Sequence, residues 1–310
     1  WGRQYRTRLA YFNAPNPDPT YYRNLPSYYW NSPIGPNLLS GASAQQGFLA
    51  SPQINWKDLY TANRLQPSGR AAYILLSDQN EEVLFTGNTY AHLNIGGGWK
   101  LGAGFLLQNS KTRNYALLQD LLGAKEHLDI DPFSQTRNDL EGSPEKKEGD
   151  RIGYDYAVHA RRWEAFASLE VATSDRWSAF LTVNAGNTVY RRDGFFRNER
   201  FPEDSKGEGR SLSFNSMSVK GGGSYRITGR HWFRFNTSLM QRPPVVRNLY
   251  INPRERMDPV SLKQNEKVMA TDLSYYLRGR ALSARLTIFY TRMMNLGEVN
   301  FFFTDSGHGS

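Results

Sequence analysis

The feature that most constrains this chain is a repeated alternation of apolar and polar residues with a period of two. The clearest case is a predicted hairpin, whose apolar positions are Trp163, Ala165, Ala167, Leu169, Val171, Trp177, Ala179, Leu181, Val183 and Ala185. Polar or small residues such as Glu164, Ser168 and Asn184 occupy most of the positions between them. Because successive side chains of a strand point to opposite faces, the pattern predicts antiparallel strands with one apolar face and one polar face.

The same unit recurs along the chain and predicts about nine strands, one opening strand that ends near Phe12 and four hairpins. Short turns close the hairpins at 96–98, 173–176, 228–229 and 278–280. Between hairpins the predicted connections are long, at 13–70, 111–150, 193–210, 243–265 and from 294 onward. Short turns at one end and long loops at the other are typical of outer-membrane β-barrels.

The charged residues decide how the two faces are interpreted. The predicted polar face carries Glu164, Glu170, Asn184, Lys220, Arg226, Asp272, Arg278 and Arg285, which is too much charge for a packed core. We therefore expect the polar face to meet water in a lumen and the apolar face to meet lipid. Trp99, Trp177, Tyr225 and Tyr275 lie near the short turns, and Trp163 and Tyr290 near the other end, as in two interfacial girdles.

The predicted fold class is therefore all-β, an antiparallel transmembrane β-barrel sector of about nine strands with short periplasmic turns and long extracellular loops. The period-two pattern alone fits a second architecture equally, an antiparallel sheet that has one face in water and the other packed on another layer. Nine strands with exposed edges do not close a barrel of the usual even strand number, which favours a sector of a larger barrel.

Composition narrows the function classes. The chain has no cysteine, which excludes thiol catalysis and disulfides, and its mean hydropathy of −0.63 argues against membrane helices. The net charge of +9 is dispersed, with no basic and aromatic platform, so nucleic-acid binding is disfavoured. No nucleophile elbow, phosphate loop or convergent acid–base set is present, so we predict no enzymatic activity and no cofactor.

Seven segments of the chain carry a resemblance to a known family. They are YALLQDLLGA at 115–124, LDIDPF at 128–133, and the segments 13–23, 151–156, 192–202, 219–222 and 226–230. These segments resemble TonB-dependent outer-membrane receptors, specifically the subgroup with an N-terminal carboxypeptidase-regulatory-like domain. These similarities cover most of the chain and keep their order, and none of them is a catalytic motif.

The resemblance implies a barrel of about 22 strands with a plug domain inside it. It implies a location in the outer membrane of a Gram-negative bacterium, contact with lipid and lipopolysaccharide, and active uptake of a scarce nutrient powered by the TonB–ExbB–ExbD complex. The nutrient classes carried by the family include iron chelates, cobalamin, glycans and peptides, and a surface lipoprotein is a further potential partner. Residues 1–310 would form part of one barrel domain, with the signal peptide, plug and remaining strands outside them. The alternatives are a passive porin or adhesin barrel and a soluble all-β carbohydrate-binding module.

The candidate ligand contacts lie in the predicted long loops. The aromatic candidates are Tyr21, Tyr22, Tyr28, Tyr29, Trp30, Trp56 and Tyr60, which either stack on a ligand or pack the loop into an ordered lid, and packing is favoured. The other candidates are Arg191, Arg192, Phe195, Phe196, Arg197, Arg242, Arg247, Tyr250 and Arg254. The arginines either steer an anionic ligand or pair with nearby acids and lipopolysaccharide phosphates, and pairing is favoured.

A metal site is not predicted. Asp129 and Asp131 have a D-x-D spacing that suits Ca²⁺, but no third and fourth acid lies nearby, and loop capping is the better interpretation. The histidines are scattered without the spacing of metal ligands.

Overall fold

The computed structural model describes residues 1–172, 174–261 and 264–300 and shows a mostly antiparallel β-sheet protein. Thr173, part of a predicted turn, and the predicted loop beyond residue 300 lie outside the described residues. The strands are β1 (Gly2–Tyr11), β2 (Tyr73–Gly96), β3 (Trp99–Asp120), β4 (His127–Leu128), β5 (Glu145–Lys146), β6 (Arg151–Val171), β7 (Trp177–Gly194), β8 (Gly207–Glu208), β9 (Leu212–Arg226), β10 (His231–Arg242), β11 (Glu266–Arg278) and β12 (Ser283–Met294).

Nine of these strands form one meander in which each strand pairs with its neighbour in the chain. The order is β1-β2-β3-β6-β7-β9-β10-β11-β12, every pairing is antiparallel, and β8 adds two residues beside β7. The prediction of one opening strand followed by four hairpins is therefore confirmed. Within the described ranges, β1 and β12 pair with no further strand on their outer sides, so the sheet has two open edges.

The strands are longer than the alternation alone predicted. The segment 111–120 was expected to begin a long loop, but it continues β3 as far as Asp120 and pairs with both β2 and β6. The reason is that Leu117 and Leu118 break the strict alternation while their backbone stays in the ladder, next to bulges at Leu75/Leu76 and Tyr115/Ala116.

The predicted loop 13–70 is also not loop throughout, because it contains three helices. They are α1 (Pro26–Trp30), α2 (Leu38–Ala50) and α3 (Trp56–Arg64). The side chain of Asn37 caps α2 by accepting a hydrogen bond from the backbone N–H of Ser40 at 2.9 Å. The apolar residues of α2 do not fall on one stripe, so this helix leaves no periodic pattern in the sequence, whereas the shorter α3 has an apolar side. No helix in the described part of the chain is long and apolar enough to cross a membrane.

The strand register places the apolar positions of all the hairpins on one face. Leu101, Leu169 and Leu181 lie side by side on β3, β6 and β7. Phe235 and Leu273 form a pair on the same face of β10 and β11, one row nearer the short turns. We call the exposed apolar residues of this face the apolar band: Leu93, Leu101, Phe105, Leu107, Trp163, Leu181, Val183, Met217, Val219, Phe233, Phe235, Leu239, Met269, Leu273, Leu286, Ile288 and Tyr290. Each of these side chains is more than a third exposed.

The opposite face, here called the polar face, carries the charged and small polar residues of the same strands. Asn236 donates to Asp272 at 3.0 Å, and Ser178 and Ser224 share a hydrogen bond at 2.7 Å. The predicted separation of apolar and polar faces is thus reproduced by the register.

Three apolar clusters lie at the end of the sheet where the long connections enter and leave, which we call the loop end. The largest includes Ile74, Leu76, Leu118 and Ile152, and a second joins Leu59 of α3 to Tyr73 and Leu122. The third packs Leu212 and Phe214 of β9 against Leu249 and Tyr250. The structure is therefore held together at the loop end, where folded connections cover the sheet, and the apolar band lies outside these clusters.

Candidate functional site

Three long connections fold together over the polar face at the loop end. We call them the loop cap: residues 121–150, 195–211 and the described part of 243–261. The backbone N–H of Leu140 donates to Arg197 at 2.7 Å, and that of Met257 donates to Asp204 at 2.8 Å. The side chain of Asn198 donates to the backbone carbonyl of Glu255 at 2.6 Å. Because each connection bonds to another, the cap forms one layer over the strand ends.

Arg192 lies at the centre of the loop cap. It projects from the polar face of β7, is only 1% exposed, and donates to the carbonyl oxygens of Pro253 at 2.7 Å and Ser205 at 3.0 Å. A buried cation bonded to two backbone carbonyls of different connections fixes their positions relative to the strand.

A cavity of about 550 Å³ lies between β1, the loop cap and the loop end of β6; we call it the loop-end cavity. Its apolar wall is formed by Leu9, Leu76, Ile130, Phe133 and Ile152. The polar residues that line it include His127, Asp129 and Arg254. A largely apolar enclosure with a few converging polar groups is typical of small-molecule sites.

Two buried polar side chains of the loop-end cavity lack a hydrogen-bond partner at one atom. Asp129 is 3% exposed, and its Oδ1 accepts from the Asn138 side chain at 2.8 Å and from the Gly153 N–H at 2.9 Å. Its Oδ2 has no partner among the described residues, and neither has Nδ1 of His127. Burial raises the pKa of Asp129, and it lowers the pKa of His127 to about 4, so the imidazole is neutral at pH 7.

The other charged groups around the loop-end cavity are already engaged, with one exception. Arg8 pairs with Asp78 at 2.8 Å, and Glu255 pairs with Arg200 at 3.1 Å. The guanidinium of Arg254 lies 4.4 Å from the centre of the Tyr154 ring and forms no ion pair within the described residues.

Of the predicted arginines and their neighbours, Arg254 lines the loop-end cavity. Arg192 and Tyr250 are both buried, so neither contacts a ligand in this arrangement of the cap. Arg191 pairs with Glu208, Arg197 with Glu203, and Arg242 with Glu266. These three follow the pairing interpretation. Arg247 is exposed in the cap.

The predicted ligand contacts Phe195 and Phe196 each form a cation–π contact within the protein. Arg113 lies 4.3 Å from the centre of the Phe195 ring, and the Lys146 ammonium lies 5.8 Å from that of Phe196. The Arg113 contact joins β3 to the loop cap, and the Lys146 contact joins two connections of the cap, so these rings pack the cap in the structure.

The predicted aromatic cluster packs mainly on itself, away from the loop-end cavity. Tyr21, Tyr22, Tyr28 and Tyr29 form a chain of edge-to-face contacts with centroid distances of 4.8, 5.6 and 5.3 Å. Trp30 lies against Gly41 of α2, where any larger residue would collide with the indole. These contacts agree with the packing interpretation.

Trp56 and Tyr60 both lie on α3. Trp56 begins the helix and is exposed, and the hydroxyl of Tyr60 donates to Asp120 at 3.4 Å. The helix is fixed by Asn63, whose side chain donates to the carbonyls of Tyr73 and Leu121 and accepts from the N–H groups of Ala72 and Tyr73.

A second surface lies on the same face of the sheet as the apolar band, between the band and the loop end. The register aligns Lys111, His159 and Arg191 across β3, β6 and β7, with Arg161 one row closer to the band. We call these four residues the basic row. A cleft beside His159, Arg161 and Arg191 is also lined by Asn109 and Ser211. Nε2 of His159 is buried and has no partner among the described atoms.

The geometry offers no metal site among the described residues, because no group of three or more suitable side chains converges. Oδ1 of Asp131 accepts from the N–H groups of Phe133 and Ser134 at 3.0 and 2.7 Å, which is the loop-capping role. The loop-end cavity was not predicted, because its polar groups come from connections far apart in the sequence.

Comparison with known proteins adds no identification. No model of a known protein family matches the chain. No curated protein matches it either.

Proposed function

We propose that this chain is a sector of the β-barrel of a TonB-dependent outer-membrane receptor that binds a scarce nutrient at its loop end and imports it. The observation that carries the proposal is the apolar band. It continues across eight neighbouring strands from β2 to β12 on one face, and its side chains are exposed instead of packed in a core. Exposed apolar patches of this extent are rare on monomers in water, and lipid is the environment that accommodates them.

The distribution of the connections supports the same orientation. The long connections emerge at the loop end and fold over the polar face. The turns described at the opposite end are short, such as 96–98, whose three glycines have φ of 90°, 60° and 83°. In outer-membrane barrels the long loops are extracellular, so the loop cap would face outside the cell.

The basic row supports contact with anionic lipid. Its cations lie just above the apolar band on the face that would meet the membrane, at the depth where the phosphates of lipopolysaccharide would lie. Lys111 and Arg161 form no ion pair among the described residues. Unpaired cations at a membrane surface attract anionic head groups.

The remaining elements of the proposal follow from the sequence resemblance. A plug domain and further strands would complete the barrel, the TonB–ExbB–ExbD complex would supply energy through the plug, and a surface lipoprotein could cover the loop cap. The chain itself would bind and pass a ligand without breaking or forming covalent bonds.

The decisive experiment is fractionation of cells that express the full-length protein. We expect it in the outer-membrane fraction, resistant to extraction with high salt and released by detergent. Recovery in a detergent-free soluble fraction would support the all-β binding module instead. A passive porin or adhesin would reach the same membrane, but its nutrient uptake would be the same with and without TonB, so uptake in a strain that lacks TonB separates the two.

A further inference from the structure

We propose that the loop-end cavity binds a small zwitterionic molecule with an apolar body, such as an apolar amino acid or dipeptide. This inference rests on the proposed function, because it names the class of nutrient that the receptor would capture. It uses two charged groups, Asp129 and Arg254, and the apolar wall between them.

The first step concerns Oδ2 of Asp129. A carboxylate oxygen that is buried without a partner is costly, and one atom of Asp129 is left in this state while the other accepts two hydrogen bonds. An ammonium group of a ligand would supply the missing donor and the opposite charge. His127 also lines the cavity, and its buried, unpartnered Nδ1 offers a neutral acceptor for another N–H of the same ligand.

The second step concerns Arg254. Its guanidinium is held over the Tyr154 ring and forms no ion pair within the described residues, whereas Arg8, the other arginine of the cavity, is paired with Asp78. A planar guanidinium presents a fork of donors that suits a carboxylate. An anionic group of the ligand at Arg254 would balance the cationic group at Asp129.

The third step concerns the wall. Leu9, Leu76, Ile130, Phe133 and Ile152 offer aliphatic and aromatic carbon and few hydrogen-bonding atoms. A glycan would leave many hydroxyl groups without partners there, which is unfavourable. The volume of about 550 Å³ lies within the range of small-molecule pockets. An apolar side chain carried between an ammonium and a carboxylate fits this arrangement of charge and surface.

The test is isothermal titration of the full-length receptor, purified in detergent from the outer-membrane fraction. The probes are leucyl-leucine, N-acetyl-leucyl-leucine without the ammonium, leucyl-leucinamide without the carboxylate, and maltotriose. We expect leucyl-leucine to bind, and each blocked dipeptide to bind about tenfold more weakly, which is the loss given by one charged hydrogen bond. Maltotriose should not bind.

Two variants assign the charges. Asp129→Asn keeps an oxygen that can accept from Asn138 and Gly153, and it should weaken leucyl-leucine about tenfold while removing the effect of acetylation. Arg254→Gln should also weaken leucyl-leucine about tenfold, and it should remove the effect of amidation. The matched controls are Asp175→Asn, in a short turn, and Arg247→Gln, in the same connection as Arg254, and both should bind as the wild type does. Thermal unfolding checks that every variant is folded.

Other outcomes overturn the inference. If a membrane-inserted receptor does not bind leucyl-leucine, or binds it equally after either substitution, the unpartnered atoms serve only to hold water, and the proposed function is unaffected. If the protein is absent from the outer membrane, the proposed function fails whatever the titration shows.

Discussion

The guanidinium of Arg192 donates to the carbonyl oxygen of Pro253 across a sequence separation of 61 residues, at 2.7 Å. Arg192→Met should therefore loosen the loop cap, because the carbonyls of Pro253 and Ser205 lose their donor at a cost of about 1–3 kcal/mol each if they remain buried. Faster hydrogen exchange at Met257, whose N–H donates to Asp204, would report it. Arg191→Met is the control, since Glu208, the partner of Arg191, is exposed and water screens the pair. Equal exchange in the two variants would contradict the role of Arg192.

A charge in the apolar band should impair membrane assembly. We expect Val183→Arg to cost about 2–4 kcal/mol if the site lies at mid-membrane depth, because the side chain would face lipid. Folding of the full-length protein into liposomes measures this. The control is Asn184→Arg, one residue further on the polar face of the same strand. Normal insertion of the Val183 variant would remove the lipid-facing assignment.

Asn63 should be the residue on which α3 depends. It is 1% exposed, and its side chain bonds to the backbone of Tyr73, Leu121 and Ala72. Asn63→Ala would leave several buried backbone groups without partners, so we expect local destabilisation of about 2–4 kcal/mol. Proteolysis within 38–64 measures it, with Thr61→Ala on the exposed side of the same helix as the control. Unchanged proteolysis in the Asn63 variant would show that packing alone holds the helix.

The loop cap should lose stability as the pH falls below about 6.5. His127 is buried and its pKa is lowered from 6.5 to about 4, so the unfolded cap binds more protons than the folded cap between these values. The free energy of unfolding of the cap is therefore highest above pH 6.5 and falls between pH 6.5 and about 4. We expect a loss of about 1–2 kcal/mol at pH 5.

The loss of cap stability at low pH can be measured by hydrogen exchange of residues 121–150 at pH 7 and pH 5, corrected for intrinsic rates. His127→Gln should reduce the pH dependence, whereas His92→Gln on the sheet should not. The raised pKa of Asp129 has the opposite sign, so the comparison between histidine variants isolates the effect of His127. An unchanged pH dependence in His127→Gln would contradict the assignment.

The basic row should hold anionic lipid. The double variant Lys111→Gln and Arg161→Gln should retain less lipopolysaccharide through purification, because each cation near a membrane surface contributes about 1 kcal/mol. Phosphate analysis of the purified full-length protein measures retention. The control removes two cations from the polar face, Lys100→Gln and Arg226→Gln. Equal retention in both double variants would show that the basic row does not select lipid.

The strands and their two faces could be predicted from the sequence by itself. Alternation with a period of two is a local property, so the positions of Leu181, Val183 and Asn184 assign each side chain to a face before any partner strand is known. The same locality explains why one opening strand and four hairpins could be predicted.

Only the tertiary structure decided what the long connections do. The apolar residues of α2 form no stripe, and β3 runs to Asp120 because its backbone pairs with β2 and β6. Asp129 and Arg254 line one cavity because separate connections fold over the same strand ends. Contacts of this kind depend on loop closure and on burial, which leave no periodic pattern in the residues that make them.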